Sequence, residues 1–411
     1  MSSHIKAARR HTHSSMHARR DAPGEWRDHN TSMRRGRALR CGADFGSLDE
    51  DQDDAGADRM WRFILPTPLL AVIWLLLPLP AQSAPCLLVT LTGTMSGPAL
   101  RNGVAGAGTL VRYGDDSADC GTLKLQFDAG RGTELRLSQL DIEPGQIDAV
   151  FLTHMHSDHT EGLVDLLLTR WNWNSGGDKL DVVCSSDAPS PLGFTLSCGK
   201  FVAHIGDAFI QSGEIAQRVS EDKRRLAGGP TELVHLVTFE PTDEPQVIWS
   251  KGEVRVSAIR STHIAGHASY RVDTPVGNVV IGGDASNDSA APPRPTSTSA
   301  QVEKLAQGAD VIVRSTMHPV LGPERNSGMP PPVFYRQSLA PDLGAMAKRV
   351  GAKYLVLTHL APQVGATHHG PYKVPGGALT EADYRAAAEA GGFTGTTIVG
   401  SDLTTLRLPP K

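Results

Sequence analysis

The sequence predicts an α/β layered domain over residues 86–409, and three observations carry that prediction. Short β-type runs that end at glycines alternate with helix-like stretches along this whole span, the order expected of sheets covered by helices. The apolar run Ala149-Val150-Phe151-Leu152-Thr153 leads directly into His154-Met155-His156-Ser157-Asp158-His159. Gly162 then opens a mostly apolar stretch, Leu163 to Leu168. A cluster of three imidazoles and a carboxylate is thus expected on a tight loop between a buried strand and a helix.

The elements follow in chain order. Residues 86–160 read as successive strands with glycine turns, the first over Leu88–Thr94. A helix is expected from about Thr160 to Trp171, and Trp171–Gly177 as a loop edging the site. Residues 185–200, with Pro189, Pro191 and Gly193, read as loop. Gly206–Leu226 has helical character and is highly charged from Glu214 to Arg225, so it reads as a solvated helical insertion. The second half repeats the strand logic at 253–259, 268–273, 278–281, 309–313 and 354–358. Helices are expected at 301–307, 341–350 and 381–390. Pro292–Thr298 and Pro330–Pro332 are loops, and no domain boundary falls there.

Imidazole and carboxylate together are the ligand set of zinc and similar divalent metals. Four such groups on one loop suit a metal pair better than a single structural zinc. Further ligands should arrive at strand ends. The run Gly277–Ile281 passes through Gly282-Gly283 into Asp284, a strand delivering an acid on a backbone that can turn sharply. His359 ends the run Tyr354–Thr358. His263 precedes Ile264-Ala265-Gly266-His267-Ala268-Ser269-Tyr270-Arg271.

The H-x-H-x-D-H cluster, Phe127-Asp128-Ala129-Gly130-Arg131-Gly132, Gly282-Gly283-Asp284 and Thr358-His359-Leu360, in this order, resemble the metallo-β-lactamase fold superfamily. The segment around His263 is similar to its ribonuclease Z and arylsulfatase-like branch. The resemblance covers roughly residues 86–409. It implies a four-layer αβ/βα sandwich, a single domain whose helical insertion borders the substrate cleft, with metals at one edge between two sheets. It implies that His154, His156 and His263 hold one metal, that Asp158, His159 and His359 hold the other, and that Asp284 bridges them. Asp158 would also steer the attacking hydroxide or a proton, and Asp128 would orient a ligand histidine through its other ring nitrogen. His267 is expected behind the ligands rather than among them. The cofactors implied are two divalent ions, zinc first, with manganese and iron also compatible. Bound water at such a pair has its pKa lowered towards about 7. Arg314 and Ser315 stand where relatives often carry a His-Glu pair. His318 is the catalytic candidate offered in their place, as an acid or substrate contact. His368 and His369 read as surface histidines.

The ends and the charge bound the rest. Residues 1–40 carry ten Lys or Arg against three acids, and residues 41–59 carry seven acids and Arg59. This is the composition of a disordered extension or of a mis-assigned start before Met60. Residues 60–83 have a short positive start, an apolar core and small residues for cleavage, the layout of a signal peptide. An uncleaved anchor is the alternative, disfavoured by Pro66, Pro68 and Pro78. The expected mature domain is 84–411, periplasmic or secreted, with a formal charge of −6 from 28 basic and 34 acidic residues. That balance offers no footprint for a polyanion, so no nucleic-acid partner is expected. The resemblance implies a small-molecule ester-type substrate, and the prolines and short apolar core predict no stable membrane anchor. Cys86, Cys120, Cys184 and Cys198 allow three pairings. Local closure favours Cys86–Cys120 and Cys184–Cys198, with four free thiols as the alternative. The expected function is an exported metal-dependent hydrolase of a phosphoester, sulfate ester or lactone. The alternatives are a ribonuclease Z-like phosphodiesterase or endonuclease, and a non-catalytic metal-binding protein on the same scaffold.

Overall fold

A computed structural model describes residues 84–101, 103–173 and 177–410. The expected extension and signal segment, residues 1–83, lie outside the described residues. β1 (Pro85–Gly93), β2 (Gly108–Asp115), β3 (Leu123–Phe127), β4 (Ala149–Phe151), β5 (Leu180–Ser185) and β6 (Val234–Phe239) are joined by β14 (Thr405–Leu408) in one seven-stranded sheet. Its order is β14-β1-β2-β3-β4-β5-β6. β7 (Gln246–Lys251), β8 (Val254–Arg260), β9 (Ala268–Thr274), β10 (Gly277–Ile281), β11 (Val311–Met317), β12 (Tyr354–Ala361) and β13 (Thr396–Val399) make the second, in the order β13-β12-β11-β10-β9-β8-β7. Each sheet begins as an antiparallel meander and continues as parallel strands: β3 to β6 in one, β10 to β13 in the other. Parallel strands need crossover connections, which places helices on the outer faces.

The inner faces meet in one apolar core that includes Val89, Leu91, Phe127 and Phe151 from the first sheet and Val256, Tyr270, Val279 and Val313 from the second. Phe127 and Phe151 stack with centroids 4.7 Å apart. The Tyr270 hydroxyl donates to the Leu152 carbonyl at 2.6 Å. This buried bond pins the second sheet to the chain just before the histidine cluster. After the short α1 (Thr133–Ser138) and α2 (Ser157–Thr160), α3 (Leu163–Trp173) and α4 (Cys198–Gln211) lie outside the first sheet and present Leu163, Leu166, Leu167, Val202 and Ile205 to it. Outside the second lie α6 (Ala300–Leu305), α8 (Ala340–Val350) and α9 (Glu381–Glu389), presenting Val302, Leu343, Met346 and Tyr384. These are the four layers expected. Among the described residues, no helix is long and apolar enough to cross a membrane.

Two local expectations are corrected. Trp171–Trp173 continue α3 instead of forming a loop at the site. Trp171 is fully buried, and its indole N–H donates to the Leu226 carbonyl at 2.9 Å. The insertion is also not one helix over 206–226. α4 starts at Cys198, inside the stretch read as loop, because the prolines stop at Pro191 and the Ser197 hydroxyl caps the helix by accepting from Lys200 N at 3.2 Å. It ends before Gly213, whose φ of 85° breaks the path before α5 (Glu214–Glu221).

Both expected disulfides are present. Cys86–Cys120 fastens β1 to the loop after β2, and Cys184–Cys198 fastens β5 to the first residue of α4. The second closes a loop with a sequence separation of 14. Replacing Cys184 and Cys198 together by serine should lower stability by about 3 kcal/mol, the size expected for constraining such a loop in the unfolded chain. The readout is a lower urea midpoint. An unchanged midpoint would show that this bridge contributes nothing to the resting fold.

Candidate metal centre and cleft

The loop after β4 is built from the backbone outward. Asp128 follows β3 with a left-handed φ of 54°. Its carboxylate accepts from Thr153 N at 2.7 Å, from the Thr153 hydroxyl at 2.9 Å and from His159 Nδ1 at 2.8 Å. The Thr153 hydroxyl donates to Asp128, so it accepts from His154 Nδ1 at 3.0 Å. One buried carboxylate therefore sets the tautomer of two imidazoles, and both Nε2 atoms face the site. His263 is oriented likewise: its Nδ1 donates to the Arg336 carbonyl at 3.1 Å. His359 Nδ1 meets the Ser315 hydroxyl at 2.9 Å.

His359 reaches the site by a device the local sequence does not show. The β11–β12 register shifts between Ser315 and Thr316, leaving His359 as the extra residue of a bulge, with φ of 47°. Bulges re-aim a side chain at the cost of an unfavourable backbone. Its Nε2 lies 3.0 Å from Asp158 Oδ2.

The donors converge in overlapping sets. His154, His156 and His263 form one, His154, His159 and Asp284 a second, and Asp158, His159 and His359 a third, each with ligand atoms within 4.8 Å of one another. His156 Nδ1 stands 2.9 Å from His154 Nε2 and 3.3 Å from His263 Nε2. In neutral rings the latter two present lone pairs, and each of the three rings offers a nitrogen within 4.8 Å of the others, as donors to a cation do. Asp284 joins the sets: Oδ1 is 3.5 Å from His159 Nε2, and Oδ2 is 3.6 Å from His263 Nε2. His159 Nε2 and Asp284 Oδ1 are buried and hydrogen-bond to nothing. Such orphaned atoms are costly in a protein interior unless a ligand satisfies them. The residues fit divalent cations.

The electrostatics agree. Burial, then the imidazoles of His159, His267 and His263, hold the His154 ring well below its ordinary pKa. Burial above all brings His263 to about 4. Neutral imidazole is the form a metal requires. Burial alone would raise Asp158, yet the His359 hydrogen bond and neighbouring imidazoles take it to about 2. Burial would likewise raise Asp284, but His359 and His159 hold it well below the usual carboxylate range. At His159 burial is opposed by Asp128 and Asp284, which raise it well above an ordinary histidine. The pocket favours positive charge there.

All seven proposed ligands are brought together. His267 sits behind them: its Nδ1 meets the Ser261 hydroxyl at 2.7 Å, and its ring lies 5.0 Å from that of His154. His318 is not brought to the cleft. Its Nδ1 accepts from Val320 N at 3.2 Å, capping a short turn, and its ring packs on Tyr384. His369, read as a surface histidine, instead lines the cleft, where burial, then His359, lowers it to about 4. The departing pair has acquired tasks of its own. Ser315 orients His359. Arg314 is wholly buried and donates to the Gly282 carbonyl at 3.3 Å, to the Ala285 carbonyl and to the Ser338 hydroxyl at 3.0 Å. It grips the turn that delivers Asp284. Burial lowers it only to about 10, so it remains a cation beside that carboxylate.

The candidate ligands His156, Asp158, His263, Asp284 and His359 open on a cleft of about 580 Å³. Met317, Met329, Val333 and Tyr372 give it an apolar side, while Arg336 and Gln337 stand on the loop after α7 (Pro331–Tyr335).

Residues 118–203 match the family model described as anti-Pycsar protein Apyc1. Ribonuclease Z of Mycobacterium bovis (strain BCG / Pasteur 1173P2) is 27% identical over 327 residues, 79% of this chain and 99% of that protein. Ribonuclease Z of Mycobacterium sp. (strain KMS) is 29% identical over 325 residues, 78% of this chain and 96% of that protein. Among solved structures, the short form of human tRNase Z aligns over 79% of this chain and all of that one, at 16% identity and a TM-score of 0.49. Zinc-bound PqqB of Methylobacterium extorquens covers 78% and 99%, at 13% and 0.47. The expectation of no nucleic-acid partner is overturned by the near full-length similarity to enzymes named ribonuclease Z. Net charge misled because it averages the whole surface, whereas a phosphodiester meets only the cleft. Architecture, donor set and sequence relatives together support a metal-dependent hydrolase of the metallo-β-lactamase fold, similar to ribonuclease Z.

Proposed function

We propose that the chain is an exported phosphodiesterase that uses two divalent cations, zinc first, on a nucleotidic phosphodiester. The observation that carries this reading is Asp284, whose two oxygens face two separate imidazole sets. His154, His156 and His263 would hold one ion and Asp158, His159 and His359 the other, with Asp284 between. Such a pair supplies a water acidic enough to ionise near neutral pH and a positive clamp on the phosphoryl oxygens. The chain's own part is orientation: Asp128, Thr153, Ser315 and the Arg336 carbonyl fix the rings, and the neighbouring imidazoles keep Asp158 ionised. The relatives named ribonuclease Z support the phosphodiester class. The signal-peptide layout of residues 60–83 and the two disulfides support export.

Purified chain should carry about two metal ions, by elemental analysis, and lose hydrolysis of bis-(p-nitrophenyl) phosphate on chelation, with recovery on adding zinc. Precursor transfer RNA, a sulfate ester and a lactone belong in the same panel. Cleavage of the RNA would make the enzyme an endonuclease. Preference for the sulfate ester or the lactone would move the substrate class, and turnover that survives full metal removal would sink the metal reading.

A further inference from the structure

Arg336 is placed where a substrate anion would meet it. It lines the same cleft as His156, Asp158 and Asp284. Its carbonyl holds the His263 ring, which fixes the start of its side chain next to the ligands. Its charge is felt at both His156 and His263. Among the described residues, its guanidinium pairs with no carboxylate, and its Nε is buried without a hydrogen-bond partner. Three other arginines are by contrast engaged: Arg314 on the Asp284 turn, Arg131 with Glu161 and Arg136 with Asp402. An arginine left unpaired in a partly buried place is costly unless a ligand anion completes it.

Another part of the cleft's lining is apolar. Met317 and Met329 are nearly fully buried, and Val333 and Tyr372 are partly exposed. Polarisable thioethers and a phenol ring suit a flat, weakly polar group such as a nucleobase, which stacks on an aromatic face. Anion recognition beside the ligands and an apolar wall within one cleft describe a nucleotide.

We propose that Arg336 and this wall form a nucleotide subsite, in which the guanidinium binds a phosphate oxygen and Met317, Met329, Val333 and Tyr372 receive the base. The proposal rests on the phosphodiesterase reading for its purpose, though not for its test. Because the carbonyl of Arg336 survives any substitution, a side-chain variant isolates the guanidinium from the orientation of His263.

The test is calorimetric titration of the zinc-loaded full chain with adenosine 5′-monophosphate and with adenosine. Arg336→Met keeps the aliphatic stem and should weaken the monophosphate by about tenfold or more, the loss expected for a charge-assisted hydrogen bond. Adenosine affinity and metal content should stay unchanged. Arg336→Lys should recover part of the loss, since an ammonium keeps the charge without the planar fork. Equal monophosphate affinity in wild type and Arg336→Met overturns the subsite. So does an equal loss for both ligands, which reports damage to the wall, and so does a wild type that binds neither. The two readings separate cleanly. Wild type that hydrolyses bis-(p-nitrophenyl) phosphate while Arg336→Met binds the monophosphate normally loses only the subsite. Arginine-dependent monophosphate binding without any phosphodiester turnover loses only the hydrolytic reading.

Discussion

Asp284→Asn is expected to lower bound metal from two ions towards one and to cut hydrolysis by at least about a hundredfold. The amide keeps the size of the side chain and can still accept a hydrogen bond. It removes the negative charge that lies 3.5 Å from His159 Nε2 on one side and 3.6 Å from His263 Nε2 on the other. Two cations close together repel, and a shared carboxylate offsets that repulsion. Without it, the imidazole sets retain affinity for one ion but not for a pair. The fold should survive, because Arg314 continues to hold the turn through the Gly282 and Ala285 carbonyls. Elemental analysis and phosphodiester turnover on the same preparation decide the matter. Two ions and full activity in the variant would remove the bridging role.

The second large effect is expected at Gly130. Its backbone lies under the ligand loop: Gly130 N donates to the Ala107 carbonyl at 2.9 Å, and Ala107 N donates to the Asp158 carbonyl at 3.0 Å. A Cβ on residue 130 would meet the Asp158 carbonyl oxygen at 2.2 Å, the Gly106 carbonyl carbon at 2.4 Å and Ala107 N at 2.6 Å. All three are main chain from other segments, so no rotamer change relieves the overlap. Gly130→Ala should therefore cost about 3 kcal/mol or more, in the upper range of overpacking. The group displaced belongs to Asp158, between two histidines of the cluster. Molecules that remain folded should thus bind metal more weakly as well. A variant with an unchanged thermal midpoint and full metal content would show that this contact is softer than it looks.

The cluster His154–His159 was legible because all its ligands are local: one loop, one strand before it and one helix after. Asp284 was legible because a strand ending in two glycines and an acid has few other uses. The same local logic paired the cysteines. His359 was readable as a strand-end histidine, but not its aim, which depends on a register shift between two strands whose paired residues lie far apart in sequence. Arg336 left no mark at all. It comes 73 residues after His263, in a loop with no pattern, and only the fold brings its carbonyl to that ring. His318 failed for the complementary reason: a histidine after the right strand was turned away by a local cap. Arg314 and Ser315 read as a departure from the family's pair, and their hydrogen bonds to the Asp284 turn and to His359 could not be foreseen from residue type. The start of α4 was hidden because prolines up to Pro191 dominate the reading of the residues that follow.

The division of ligands between the sheets has a mechanical side. His154, His156, Asp158 and His159 follow β4 in the first sheet, whereas His263, Asp284 and His359 belong to the second. Ions held by both groups, as proposed, would act as rivets through one edge of the sandwich. Loaded protein should then resist protease and heat better than chelated protein, by mass action on the folded state. A chain cut short before residue 359 would lack His359, one of the second sheet's three candidate ligands, so its metal retention should fall however well its first half had formed.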